Sequence, residues 1–257
     1  LVETAVMRPL VPFVRRVNEG PHPVLLAALR RALPEVELVE HGEIPADRLA
    51  EATVAIVDGP SADQLVSLPN LAFVQSTWAG VEAIIPAVPD GVAIARMVDP
   101  QLAATMAEAV LAWTLYLHRD MPRYARQQRD AEWIEHPVVR VSDRRVGIVG
   151  LGALGTAAAN TLVRHGFDVA GWSRSPKVLE GVQCVDGDGG FATLLARSDI
   201  VVNLLPHTAA TTNLLGAEAF AAMPTGGSLI NFGRGQTVDD DALIAALDRG
   251  HLDHAVL

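Results

Sequence analysis

Two short stretches carry residue types that do chemistry. The first is Gly150-Leu151-Gly152-Ala153-Leu154-Gly155, a G-x-G-x-x-G. An apolar, strand-like run at 144–149 precedes it. An alanine-rich, helix-forming run at 156–165 follows and is stopped by Gly166, and a second strand-like run spans 168–172. In that context the motif has a mechanism. Gly150 permits a tight turn, Gly152 lets the backbone approach a pyrophosphate, and Gly155 lets helix and strand pack closely. The helix start, with the N–H groups of Ala153 and Leu154, then faces phosphate. A glycine-rich turn with no ligand is the plainer alternative. The second stretch is Asn231-Phe232-Gly233-Arg234-Gly235, directly after a predicted strand at 227–231. Its glycines allow unusual backbone angles and access to the side chain between them. At a sheet's carboxyl end, Arg234 would turn a planar fork of donors toward a carboxylate or a carbonyl oxygen. A turn bearing a surface arginine is the alternative here.

Two further places refine the chemistry. An NAD site usually carries Asp or Glu at the end of its second strand, to hold the ribose hydroxyls. This chain instead reads Trp172-Ser173-Arg174-Ser175, with Lys177 nearby. A hydroxyl and a guanidinium suit a 2′-phosphate, so NADP(H) is favoured over NAD(H); a surface arginine beside a weakened NAD site is the competing reading. The loop Ser76-Thr77-Trp78-Ala79-Gly80-Val81-Glu82 leaves an apolar run at 71–75 and precedes a helix-like run. Its backbone N–H groups could hold a carboxylate, or it is an ordinary strand-to-helix turn. No metal-ligand pattern is read.

The elements that must position these residues alternate between strand and helix. Residues 1–98 read as a small α/β unit, with strands at 4–7, 36–40, 53–57 and 71–75 and a helix at 23–33 entered through Pro21 and Pro23. Such alternation implies a parallel sheet, whose ligands bind beyond the carboxyl ends of the strands. At 100–119 Leu102, Met106, Ala109, Trp113 and Tyr116 recur at helical spacing, and the other faces are apolar too. A helix apolar nearly all round is expected to be buried. It is therefore placed as the interdomain helix and at a subunit interface, with Glu108 as a buried, hydrogen-bonded carboxylate. Residues 121–141, with Trp133, read as a charged, loop-rich arm packing on another chain. Strands at 199–204 and 227–231 and helices at 217–222 and 238–249 follow, the last helix with Asp239, Asp240 and Asp241 in its first turn. Residues 99–257 thus read as a doubly wound cofactor domain.

A chain of 257 residues, half of them hydrophobic and 19% charged, is long enough for two domains with substantial cores. The net charge of −10 argues against a nucleic-acid partner, which requires a basic face. The single Cys184 precludes an intramolecular disulfide and fits a reducing, cytoplasmic compartment. No apolar run approaches the ~20 residues of a membrane-spanning helix, and no signal-peptide pattern opens the chain. Leu1 in place of Met, and an abrupt stop after a final strand-like run, read as a piece of a longer protein.

The glycine motif at 150–155, the run Leu204-Leu205-Pro206-His207-Thr208 and the 231–235 motif together resemble the D-2-hydroxyacid dehydrogenase family. Trp172-Ser173-Arg174 and Ala79-Gly80-Val81-Glu82 narrow the resemblance to its glyoxylate/hydroxypyruvate reductase branch, over essentially the whole chain. The resemblance implies two Rossmann-like domains, one flavodoxin-like and one doubly wound, with a cleft between them. It implies NAD(P)H-dependent reduction of a small 2-oxo acid to a D-2-hydroxy acid, and a homodimer. Arg234 matches the family's substrate-binding, carbonyl-polarising arginine. Trp78, Ala79 and Gly80 fall on its carboxylate-binding loop, and Leu205, Pro206, Thr212 and Phe232 on positions lining the cofactor. The family also implies an acidic residue and a proton-donating histidine downstream of the arginine, and the sequence reaches Leu257 before either is recognised. His207 is read as a cofactor contact and the remaining histidines as surface or structural. A non-catalytic, dinucleotide-sensing protein of the same fold and a catalytically incomplete fragment stand as alternatives.

Overall fold

The computed structural model describes residues 8–16 and 23–257. The chain divides into two compact units, Leu1–Asp99 and Pro100–Leu257. In the first, β1 (Leu10–Arg15), β2 (Glu37–Glu40), β3 (Val54–Asp58), β4 (Phe73–Ser76) and β5 (Ala93–Ala95) form a parallel sheet in the order β2-β1-β3-β4-β5. That is the flavodoxin-like order. The strand expected at 4–7 lies outside the described residues, and β1 is the strand that enters the sheet. Its Pro12 masks it in the sequence, because proline cannot donate to a ladder. The register with β3 begins only at Phe13, one residue later. Alternate strand residues face opposite sides. Phe13 and Ile56 meet Leu26 of α1 (Pro23–Ala32), while Val14, Ala55 and Val57 meet Leu65 of α2 (Ala62–Val66) and Ile84. Both faces are covered, as a parallel sheet requires. The short α2 and β5 escape detection in the sequence, since a periodicity needs more residues to show. The helix expected after the 76–82 loop is a single 3₁₀ turn, Ile85–Ala87. Pro86 and Pro89 disfavour anything longer there.

The second unit opens with α3 (Pro100–His118) and α4 (Met121–Arg129). Its sheet holds β6 (Arg145–Val149), β7 (Asp168–Ser173), β8 (Val182–Asp186), β9 (Ile200–Asn203), β10 (Gly227–Asn231) and β11 (Leu252–Val256). They run parallel in the doubly wound order β11-β10-β9-β6-β7-β8. On one face Val146, Ile148 and Val202 meet Val110 of α3 and Ala158 and Leu162 of α5 (Ala153–Arg164). On the other, Val149, Val201 and Leu229 meet α6 (Gly187–Arg197), α7 (Ala217–Ala222) and α8 (Asp240–Asp248) through Leu194, Leu195, Phe220 and Leu243. Each such side chain contributes roughly 1.5–3 kcal/mol on burial. Truncating the fully enclosed Phe220 to Ala would cost about 3–5 kcal/mol.

Four sequence expectations need correction here. Helix α3 is not buried all round: a stripe of Ala107, Val110, Thr114 and Leu117 is, whereas Trp113, Leu115 and Tyr116 are exposed. Glu108 is exposed as well, so it is not the buried carboxylate expected. An apolar composition says that faces can be buried, not that each finds a partner. Residues 121–129 are helical instead of loop-rich, with Pro122 in the first turn where its missing N–H is harmless. Asp239 lies outside the first turn of α8 and caps it, its carboxylate accepting from Ala242 N at 3.0 Å.

Candidate functional site

The carboxyl ends of four adjacent strands lie level. Trp172 of β7 is in register with Val149 of β6, Val149 with Asn203 of β9, and Asn203 with Asn231 of β10. The stretches singled out for chemistry in this unit leave the sheet just past that row. From β6 comes the glycine loop. Gly150 has φ +103° and donates to Trp172 O at 2.9 Å. A Cβ on Gly155 would lie 1.9 Å from Gly150 O, so strand end and helix start touch through bare backbone. Gly152 caps α5, and a Cβ there would meet nothing within 4 Å. Ala153 is exposed beside it and Leu154 is half-buried. A closed Gly155 and an open Gly152 fit a diphosphate seated on the α5 N–H groups.

At the end of β7, Ser173 is buried and its hydroxyl donates to Ser175 O at 2.7 Å, while Arg174, just past it, is exposed. Past β9, Leu205 is buried and Pro206 and Thr212 are exposed. This segment ties itself: Thr211 Oγ1 donates to Pro206 O at 2.8 Å, and His207 Nε2 lies 2.9 Å from Thr212 Oγ1. Past β10, Phe232 packs half-buried on the α3/α5 side of the core. Arg234 is exposed, with Nη1 at 3.3 Å from Gly233 O. Its backbone is extended and opens a 3₁₀ turn, Gly235–Thr237. Beside Thr212 and Gly235 lies a cavity of about 750 Å³ also lined by Asp239, Asp240 and Asp241. Three carboxylates make it a poor seat for an anionic cofactor.

The opposite edge of the sheet carries ion pairs. Arg145 Nη2 lies 2.6 Å from Asp199 Oδ1 and Arg197 Nη2 lies 2.6 Å from Asp168 Oδ2. Burial works to raise the Asp199 carboxyl, but the Arg145 guanidinium and backbone N–H outweigh it and hold the group below its usual value. His251 Nε2 bonds Phe220 O, and its own carbonyl accepts from Gly226 N ahead of β10, so this histidine lies at the far edge from Arg234. His254 is in register with Ser228, also away from the strand ends, and burial, then Arg126, holds it below its usual value. Burial, followed by the charges of Arg144 and Arg119, does the same to His118. His207 follows the carboxyl end of β9.

In the first unit, Trp78, Ala79 and Gly80 follow β4 and are half-buried. The loop is fixed by a residue the sequence reading missed. Asp58, buried at the end of β3, accepts from the Trp78 indole Nε1 and from Thr77 Oγ1 at 2.8 Å. Arg16 stacks on the Trp78 ring, 5.5 Å from its centroid, and the Trp78 carbonyl accepts from Met97 N at 3.0 Å. Asn203, Asn231 and Thr237, buried or half-buried beneath Arg234, were also missed as a set. The available signal was a polar residue ending an otherwise apolar strand, in Asp58 and Asn203 alike.

Residues 111–257 match the family model for the D-isomer specific 2-hydroxyacid dehydrogenase, NAD binding domain. The chain belongs to this family. Within it the chain stands in the glyoxylate/hydroxypyruvate reductase branch. Over 239 residues it is 34% identical to glyoxylate/hydroxypyruvate reductase A of Serratia proteamaculans, covering 90% of this chain and 75% of that protein. Among solved structures it is similar to a D-isomer specific 2-hydroxyacid dehydrogenase from Xanthobacter autotrophicus in complex with NADPH and MES. That match has a TM-score of 0.87 and 39% identity, over 96% of this chain and 79% of the other. It is also similar to the NADPH-dependent glyoxylate/hydroxypyruvate reductase of Sinorhizobium meliloti in complex with NADP and sulfate. There the TM-score is 0.85 and the identity 33%, over 96% and 80% of the two chains.

Proposed function

We propose that this protein reduces a small 2-oxo acid of the glyoxylate or hydroxypyruvate kind to a D-2-hydroxy acid, with NADPH preferred over NADH. The observation that carries the reading is the level row Trp172, Val149, Asn203 and Asn231, which sends a phosphate-type glycine loop, Arg174 and Arg234 off one sheet edge. Gly150, Gly152, Ala153, Leu154 and Gly155 hold the diphosphate, and Ser173 with Arg174 receives the 2′-phosphate. Leu205, Pro206, Thr212 and Phe232 line the cofactor. Bound NADPH supplies the hydride. Arg234 binds the carboxylate and polarises the carbonyl, stabilising the charge that develops on oxygen. The backbone of Trp78, Ala79 and Gly80 holds the substrate carboxylate in orientation. A general acid protonates the alkoxide, and the family resemblance implies a histidine downstream of Arg234 for that step. The Xanthobacter and Sinorhizobium proteins, solved with NADPH and NADP, support the cofactor reading.

The assembly we propose is a cytoplasmic homodimer. Exposed apolar side chains on α3 and on the segment after α4, Trp133 being 93% exposed, support it. So does a groove of about 640 Å³ lined by Tyr124, Trp133 and Ile134. No helix among the described residues is long and apolar enough to cross a membrane. The experiment that tests the function is NADPH oxidation over a panel of 2-oxo acids, repeated with NADH. Turnover of glyoxylate or hydroxypyruvate, faster with NADPH, is the expected result. NADPH binding with no turnover of any 2-oxo acid would instead make the protein a dinucleotide-binding module.

A further inference from the structure

We propose that Asn203 is a positioning residue for Arg234, joining the arginine loop and the Leu205 segment to one strand end. The inference rests on the functional reading above and adds the device that aims its arginine. Asn203 ends β9 with no exposed surface, after the apolar residues Ile200, Val201 and Val202. Its Nδ2 donates to Asn231 Oδ1 at 2.8 Å and to Thr237 Oγ1 at 2.7 Å. Its Oδ1 accepts from Leu205 N at 3.2 Å. Both bonded partners pass the constraint on. Asn231 Oδ1 also accepts from Gly233 N at 3.1 Å, and Thr237 Oγ1 donates to Arg234 O at 2.6 Å. The residues on either side of the arginine peptide are therefore held through one carboxamide.

Chemistry restricts what can stand at this position. The site needs two donors on one side and an acceptor on the other, which a carboxamide supplies and an aspartate or a hydroxyl does not. The Thr237 hydroxyl receives one hydrogen bond and gives one, so the direction of the chain from Asn203 to the Arg234 carbonyl is set. Packing closes the same path. A Cβ on Gly233 would fall 2.9 Å from Asn203 Nδ2 and 2.8 Å from Leu205 O, so the loop lies directly on the amide. The Leu205 segment and the Arg234 loop therefore keep one relative geometry, and an arginine displaced from it would bind and polarise a 2-oxo acid poorly.

The test compares Thr237→Val, which keeps the shape and deletes the hydroxyl, with Thr237→Ser, which keeps the hydroxyl. For each, kcat and KM for glyoxylate and the Kd of NADPH are measured, with amide hydrogen exchange of residues 232–237 as a readout independent of activity. Thr237→Val is expected to lower kcat/KM for the oxo acid by about ten- to a hundredfold, the scale of misplacing a catalytic group. It should change the NADPH Kd by less than about threefold, since the two neutral hydrogen bonds lost lie away from the glycine loop. Exchange should rise at 232–237 and stay unchanged at 150–155, and Thr237→Ser should restore turnover and protection. Unchanged kcat/KM in Thr237→Val, a loss of NADPH affinity matching the loss of turnover, or a serine variant as poor as the valine one would overturn the proposal. If the parent turns over no 2-oxo acid, the functional reading falls. Exchange then decides: unaltered protection at 232–237 in Thr237→Val refutes the positioning role, and selective loss upholds it.

Discussion

Two loops, one in each unit, are held by a buried polar residue at a strand end, and they are held differently. In the first unit the acceptor-only carboxylate of Asp58 takes the indole N–H of Trp78 and the hydroxyl of Thr77. In the second, the neutral carboxamide of Asn203 gives two hydrogen bonds and accepts one. A carboxylate can gather donors, and so it suits a loop whose own side chains supply them. The Arg234 loop offers the Asn231 Oδ1 acceptor and a threonine hydroxyl, so its anchor must itself donate. The comparison shows that strand-end anchors are matched to the loop above them and are not interchangeable.

The largest expected effect separates the presented group from its anchor. Arg234→Lys keeps the charge but loses the planar fork, and should lower kcat/KM by about 10²–10³, the scale of a lost oxyanion donor. NADPH titration of the same variant should give a nearly parental Kd; an equal loss of cofactor affinity would put Arg234 in the phosphate site. The anchors themselves can be exchanged. Asn203→Asp places an unpaired carboxylate in a fully buried position and should cost about 3 kcal/mol in denaturant unfolding. Asp58→Asn keeps an acceptor for both of its donors and should cost less than ~1 kcal/mol. Equal costs for the two exchanges would end the distinction between them.

Next in size is the ribose corner. Arg174→Ala should reduce NADPH use relative to NADH use by roughly ten- to a hundredfold, the value of a charge-assisted hydrogen bond. Parallel loss with both cofactors would remove Arg174 from the 2′-phosphate site. The smallest effect lies at the sheet's amino edge, away from both loops. Because the Asp199 carboxyl is held below its unfolded value, its contribution is full at neutral pH. That contribution fades as the pH falls through the depressed folded value. Asp199→Asn should therefore cost about 1 kcal/mol at pH 7, a partly exposed pair being screened, and progressively less below about pH 4. A cost that stays constant from pH 7 to pH 3 would show that the ion pair adds nothing.

Sequence alone settled the class of the molecule and pointed to its candidate site residues. Glycine spacing, an arginine between glycines and a missing acid after β7 are local facts about backbone freedom and charge, so they survive in one dimension. The α/β alternation did as well, because strands and helices of ordinary length imprint a period on the chain. Tertiary structure decided the rest. The short α2 and β5 have no readable period and exist through what they pack against. The burial of α3 depended on which of its apolar faces met α5, and composition cannot say that. The roles of Asp58 and Asn203 depended on partners up to 20 and 34 residues away along the chain. A buried polar residue takes its meaning from the groups that satisfy it, and those groups are brought together only when the strands come into register.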